Sequence, residues 1–285
     1  MRKLTALFVF LLALVTAFAQ LIQPGSTFTR QWETGPGLKI PESVLYDSAT
    51  GIIYVSNIEG KPAAKDSTGF IATLSVDGAI LNAGWVKGLD APKGMGILNN
   101  HLFVSNIDEV VEIDIPTASI IKRHKVEGSQ FLNDIAIDPK TGMIFITDSG
   151  TGQVYVLLNG VVSPWLQGPM FKGANGLFLL GNLLYIGTAN SILQANITSG
   201  EVIVSIAGTG AVDGLFVNSQ GKYIFSDFNG SVYLSGMKRK PELLLNTTTK
   251  KENAADFGVI VSKNMILIPT FGNNKIVCYT TPLIN

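Results

Sequence analysis

The sequence predicts an all-β chain folded as a six-bladed β-propeller, closed by pairing of an N-terminal strand with the last blade. Three observations carry this expectation. A unit of short strands recurs six times at a spacing of roughly forty residues, the mark of a repeat architecture. No segment sustains a helical period of apolar residues. The last unit is one strand short, while an unassigned strand candidate, "STFTRQWE" from Ser26, stands near the start of the chain. Six units of four antiparallel strands suit a propeller, and a shared last blade removes the exposed edge that an open ring would leave.

The elements follow in order. Residues 1–19 read as a secretory signal: Arg2 and Lys3 form a basic start, Leu4 to Val15 an apolar centre, and Ala17-Phe18-Ala19 a small-residue cleavage site. The apolar centre is short for a membrane span, so the expectation is an exported protein, periplasmic or secreted, with no membrane attachment after cleavage. Residues 20–285 then form one propeller domain. Its units begin at "PESVLYDSATGIIYVSN" (Pro41), "PKGMGILNNHLFVSN" (Pro92), "LNDIAIDPKTGMIFITDSG" (Leu132), "ANGLFLLGNLLYIGTAN" (Ala174), "VDGLFVNSQGKYIFSD" (Val212) and "ADFGVIVSKNMILIPTFG" (Ala255). Each is a polar head, a short apolar strand, a turn such as K-T-G or S-Q-G, and a second apolar strand. Third and fourth strands follow, as in "QVYVLLNG" and "VVSPWLQG". Aromatic residues recurring in second strands (Tyr54, Phe103, Phe145, Tyr185 and Phe225) read as packing between blades.

Charge narrows the partners. The chain has 21 basic and 21 acidic residues, and losing Arg2 and Lys3 leaves a formal charge of −2. No basic stripe points to nucleic acid, and Lys238-Arg239-Lys240 reads as a solvated turn. The single cysteine, Cys278, lies in the strand pattern "KIVCYT" and reads as packing. Three N-x-[ST] sequences, at Asn196, Asn229 and Asn246, are acceptors only in a eukaryotic secretory pathway.

The polar heads are where chemistry is expected. First strands of a propeller line its central channel, so their leading residues meet near one mouth. In register, the six copies present Glu42, Lys93, Asn133, Asn175, Asp213 and Asp256. Carboxylates and amide carbonyls with one ammonium form a hard oxygen donor set, which suits Ca²⁺ or Mg²⁺ and, less well, Mn²⁺ or Zn²⁺. Second strands end in Asn57, Asn106, Asp148, Asn190, Asp227 and Asn273, either as a polar rim to the same mouth or as ordinary turn chemistry. The long connection "NIEGKPAAKDSTG" from Asn57 is a candidate lid.

At these heads the chain resembles the family of senescence marker protein, gluconolactonase and luciferin-regenerating enzyme, six-bladed propellers with paraoxonase and strictosidine synthase as distant relatives. The likeness rests on Glu42 in "PESVLYD", Asn133-Asp134 in "LNDIAID", Asn175-Gly176-Leu177 and Asp213-Gly214-Leu215, and it spans nearly the whole of residues 20–285. The resemblance implies a divalent metal held by Glu42, Asn175 and Asp213. It also implies Asn133 placed to hold a water or a substrate oxygen, and Asp213 as general base in lactone hydrolysis. Two departures stand beside it. Ser43-Val44 follows the first glutamate where the family has glycine-proline, and Lys93 heads the second blade where paraoxonase-type relatives carry a catalytic histidine region. The two histidines, His101 toward the opposite mouth and His124 in a charged stretch between blades, do not suit a catalytic dyad.

The expected function is a metal-dependent hydrolase opening a lactone or small ester, with Asp213 and Lys93 catalytic and Asn133 and Asp256 binding substrate. The alternative is a non-catalytic propeller holding a small ligand or a protein partner. Lys93 has two readings: a cation neutralising Asp213 or Asp256 in place of the metal, or an electrophile facing a developing oxyanion.

Overall fold

A computed structural model describes residues 28–285, so the expected signal segment and the first residues of "STFTRQWE" lie outside the described residues. Six four-stranded antiparallel sheets make the six blades of a propeller. Blade one runs through Pro41–Asp47, Ile52–Asn57, Gly69–Leu74 and Ile80–Leu89. The blades that follow open with first strands Pro92–Leu98, Leu132–Asp138, Leu177–Leu180, Leu215–Val217 and Gly258–Ile260.

Turn chemistry sets the first hairpins. In blades one and three, Gly51 (φ 73°) and Gly142 (φ 75°) take the left-handed conformation while the Asp47 and Asp138 carboxylates accept from nearby backbone and threonine donors. In blade two, Asn99 and Asn100 both have positive φ, which matches the turn to the strand twist.

Apolar side chains on the faces of adjacent blades form the core. Tyr54 of blade one packs with Met95, Leu102 and Val104 of blade two, and Phe145 of blade three with Leu177 and Leu184 of blade four. Tyr185 and Tyr223 meet edge to face at 5.4 Å across blades four and five. The recurring aromatics are thus interblade packing. Cys278 is buried between blades six and one, and burial pushes its thiol up to about 12, consistent with packing rather than nucleophilic use. Lys238, Arg239 and Lys240 are exposed.

Closure uses both ends of the chain. Thr29–Glu33 forms the outer strand of blade six, pairing antiparallel with Ile276–Thr280 in the register Thr29↔Thr280 to Glu33↔Val277. A second latch joins blades six and one at the channel. There the Asp256 N–H donates to the Glu42 carbonyl at 3.1 Å and Ser43 Oγ donates to Asp256 Oδ2 at 2.5 Å. First strands approach so closely that side chains are excluded between some of them: a Cβ on Gly176 would stand 2.1 Å from the Asp213 carbonyl oxygen. This is the reason for glycine after Asn175, and the contact brings blade four against blade five where their heads must meet.

Candidate metal and substrate site at the channel mouth

Glu42, Lys93, Asn133, Asn175 and Asp213 line one cavity of about 260 Å³ at the mouth of the channel. Backbone pairing fixes their equivalence. The Asn175 N–H donates to Gly187 and the Asp213 N–H to Ser226, each at 2.9 Å. In blade six the residue making this bond is Ala255, donating to Pro269 at 3.1 Å. The expected register is therefore corrected by one residue: Ala255, not Asp256, heads the last blade. Because successive side chains of a strand alternate in direction, the slip moves Asp256 out of the mouth cavity. It lines the channel below, with Ser43 and Asp134.

The mouth layer is short of donors. Asn175 Nδ2 donates to Asp213 Oδ1 at 2.8 Å, and Asn133 Nδ2 donates to Ser149 Oγ at 3.1 Å. Glu42 Oε2 and Asn175 Oδ1 are buried without a hydrogen-bond partner. Two orphaned acceptors beside the Asp213 carboxylate are a cost that a cation would remove.

Electrostatics point the same way. Burial holds the Glu42 carboxyl well above the usual carboxylate range; the charges of Asp213 and Asp134 add to this, and Lys93 works against it. Asp213 is pushed up to about 7 by burial, with the Asn175 hydrogen bond opposing and Asp227 adding. Burial also raises Asp134 to about 7, against the N–H groups of Leu177 and Ile135. Asp256 is raised by burial and by Asp134 and Glu42. Four buried carboxyls crowd one another, and the Lys93 ammonium acts on Glu42 among them. The donor set of two mouth carboxylates with amide oxygens fits a hard divalent cation, although no group of three His, Cys, Asp or Glu residues is placed to hold a metal among the described residues.

Lys93 is 1% exposed and forms no ion pair among the described residues. Its Nζ donates to the carbonyls of Ala91 at 2.9 Å and Pro62 at 3.2 Å and lies 4.3 Å from the centre of the Phe131 ring. Direct pairing with Asp213 or Asp256 is thus not formed. Burial pushes its ammonium down to about 8, partly offset by the charge of Glu42.

Asn57, Asn106, Asp148 and Asp227 end their second strands and hold loops, whereas Asn190 and Asn273 lie beyond the strands Leu183–Gly187 and Met265–Pro269, with Asn273 exposed in a short turn. Asn106 Oδ1 accepts from the N–H groups of Asp90 and Ala91, and Asp148 accepts from those of Gln130 and Phe131. They fix the segments that carry Lys93 and Phe131, and none of the six lines the mouth cavity. His101 and His124 share the Glu112 carboxylate, at 2.6 and 2.8 Å, on blade two. His124 is buried within the strand Ser119–Lys125 rather than in a stretch between blades. From the connection after Asn57, Ile58 and Pro62 reach the cavity.

Sequence reasoning missed Phe131, Phe228 and Phe271, which also line the cavity. Each stands within a few residues of a head or of a second-strand end, the one positional signal that could have singled them out.

No protein-family model matches the chain, and no curated protein matches it. Among solved structures it is similar to the X-ray structure of a protein provisionally named a gluconolactonase, with a TM-score of 0.63 and 15% identity over 91% of this chain and 93% of that one. It is also similar to the WD40 β-propeller domain of Doa1, with a TM-score of 0.59 and 11% identity over 84% of this chain and 77% of that one. The likeness is one of fold: a β-propeller, whose six blades are the six sheets of this chain, shared with the protein provisionally named a gluconolactonase.

Proposed function

We propose that this protein is an exported, divalent-metal-dependent hydrolase that opens a lactone or small ester at the channel mouth. The observation that carries the reading is the pair of buried, partnerless acceptors, Glu42 Oε2 and Asn175 Oδ1, in the cavity that also holds Asp213. Glu42, Asn175 and Asp213 would hold the ion, Ca²⁺ or Mg²⁺ ahead of Mn²⁺ or Zn²⁺. Bound there, a divalent ion supplies Lewis-acid polarisation of the ester carbonyl and a more acidic water.

The chain's own groups supply the rest. Asp213 accepts a proton from the attacking water as its oxygen bonds to the acyl carbon. The acyl–oxygen bond breaks, and the leaving alkoxide takes the proton, giving a hydroxy acid from a lactone or an acid and an alcohol from an ester. Lys93, buried in the same cavity, stabilises negative charge on the acyl oxygen, and Asn133 orients a substrate oxygen. Asp256, a layer deeper, is left out of substrate contact. The fold's likeness to a protein provisionally named a gluconolactonase supports this choice of reaction.

The test is metal analysis of the purified protein together with turnover on sugar lactones, alkyl lactones and aryl esters. Bound divalent metal and chelator-sensitive turnover are expected. Protein free of metal and inactive on the whole panel, with each ion added back, would replace this reading with the binding propeller.

A further inference from the structure

The mouth cavity is chemically two-sided. Its polar side chains are confined to the heads of blades one to five, and the remaining lining carries no side-chain hydrogen-bonding group: Ile58, Pro62, Phe131, Val212, Phe228 and Phe271, with Ala211 beside them. All these apolar residues lie in the connections that surround the heads. Phe228 differs from the aromatics packed between blades in being 43% exposed. It meets Phe271 edge to face, with ring centres 4.9 Å apart. The two loops are held together by Asn253, whose Nδ2 donates to the Phe228 carbonyl at 3.0 Å and whose Oδ1 accepts from the Gly272 N–H at 3.5 Å. An aromatic pair at a rim, Phe228 exposed and Phe271 half-buried, braced from behind, is a preformed apolar contact surface.

We infer that the substrate is a lactone or ester bearing an alkyl or aryl group, with Phe228 and Phe271 as specificity-determining residues gripping that group, rather than a polyhydroxylated sugar lactone. The inference rests on the hydrolase reading above. A sugar lactone brings several hydroxyls, and each one buried against Ile58, Val212 or a phenylalanine ring loses its water partners and gains none. The polar heads suffice for the carbonyl and the ester oxygen of one functional group. An alkyl tail on the same group needs no partner and gains by leaving water. Burying one methylene is expected to raise kcat/KM about three- to fourfold until the tail reaches solvent.

The test uses the full-length protein after signal removal, with its metal bound. Its substrates are γ-butyrolactone, γ-hexalactone, γ-octalactone, γ-decalactone and glucono-1,5-lactone. The expected result is kcat/KM rising along the alkyl series and exceeding that for gluconolactone by tenfold or more. Phe228→Ala is expected to lower the γ-decalactone to γ-butyrolactone ratio about tenfold, while Phe228→Leu retains most of it, an effect that a merely structural role for the ring would not produce. Asn253→Ala, which frees the loops, lowers the ratio through KM. A flat chain-length dependence with gluconolactone preferred, and Asp213→Asn inactive, would overturn this inference and leave the hydrolase reading standing. No turnover on any of the five would overturn both.

Discussion

Two polar layers cross the channel one residue apart where the first strands begin, and they are built to opposite standards. In the lower layer the buried carboxylates are supplied with donors: Asp134 accepts from the N–H groups of Leu177 and Ile135, and Asp256 from Ser43 Oγ. In the upper layer Glu42 and Asn175 each keep a buried oxygen with no donor, and Lys93 directs its protons at carbonyls instead of the nearby carboxylates. Folded proteins rarely leave such groups unmet, so the contrast is between a layer that locks blades together and one whose unmet oxygens the ion proposed above would take up.

The sharpest way to break this comparison is one substitution in each layer. Asp213→Asn preserves shape and an oxygen ligand but removes the base, and turnover on responsive lactones should fall on the order of 10²-fold or more. Full activity in that variant would end the assignment of Asp213. Metal removal comes next in size. A ligand at a hundredfold excess over its Kd stabilises the native state by about 2.7 kcal/mol, so calorimetry should show Tm rising with Ca²⁺ or Mg²⁺ and falling with chelator. A Tm indifferent to both would give the upper layer another occupant.

Gly176→Ala tests the contact that joins the two heads. With the Asp213 carbonyl in the way of the new methyl, blades four and five must part, at a cost of about 1–3 kcal/mol. Turnover should fall as well, because Asn175 no longer reaches Asp213. An unfolding midpoint equal to wild type would show that the strands have room.

The smallest effect is expected from Asp256→Asn, which keeps an acceptor for Ser43 and lies below the site; turnover should stay within about threefold of wild type. Its signature is in pH. Burial, with the charges of Asp134 and Glu42, raises the folded-state pKa of Asp256 above its unfolded value. The folded chain then binds more protons than the unfolded one, and this residue costs stability as pH rises above the unfolded carboxylate pKa of about 4. Urea titrations in chelator should therefore show a shallower loss of stability from pH 4 upward in the variant. An unchanged slope would place the titration elsewhere in the cluster.

How far the sequence could be read follows from what each residue type advertises. The repeat was legible because a period of strands and turns survives any change of side chain, and the same period identified the spare N-terminal strand. Glu42, Lys93, Asn133, Asn175 and Asp213 were legible as a group because polar residues recur in register at the heads of apolar strands, where they are costly without a reason. The choice of Glu42, Asn175 and Asp213 among them came from the family resemblance. Blade six was misread because its polar residue, Asp256, precedes Phe257 directly, whereas the other five heads are followed by one further residue before the apolar run, as in Asp213-Gly214-Leu215. By that spacing Ala255 is the head, with no polarity to announce it. The polar second-strand ends could not be resolved between rim and turn, since an asparagine capping a loop and one facing a ligand are the same letter. The phenylalanine wall was invisible because apolar residues in a β-rich chain are expected everywhere.

The shared last blade has a consequence for how the molecule comes into being. Thr29 and Thr280, hydrogen-bonded neighbours in the finished ring, are 251 positions apart along the chain. Five blades can fold from contiguous sequence as it appears, but the sixth waits for the final strand, so its pairing carries nearly the largest loop-closure entropy the chain can offer. Until that moment Thr29–Glu33 and the strand Met265–Pro269 are both open edges, able to pair with another copy as readily as through Ile276–Thr280. The completion step is therefore the point at which a half-built ring is most easily diverted.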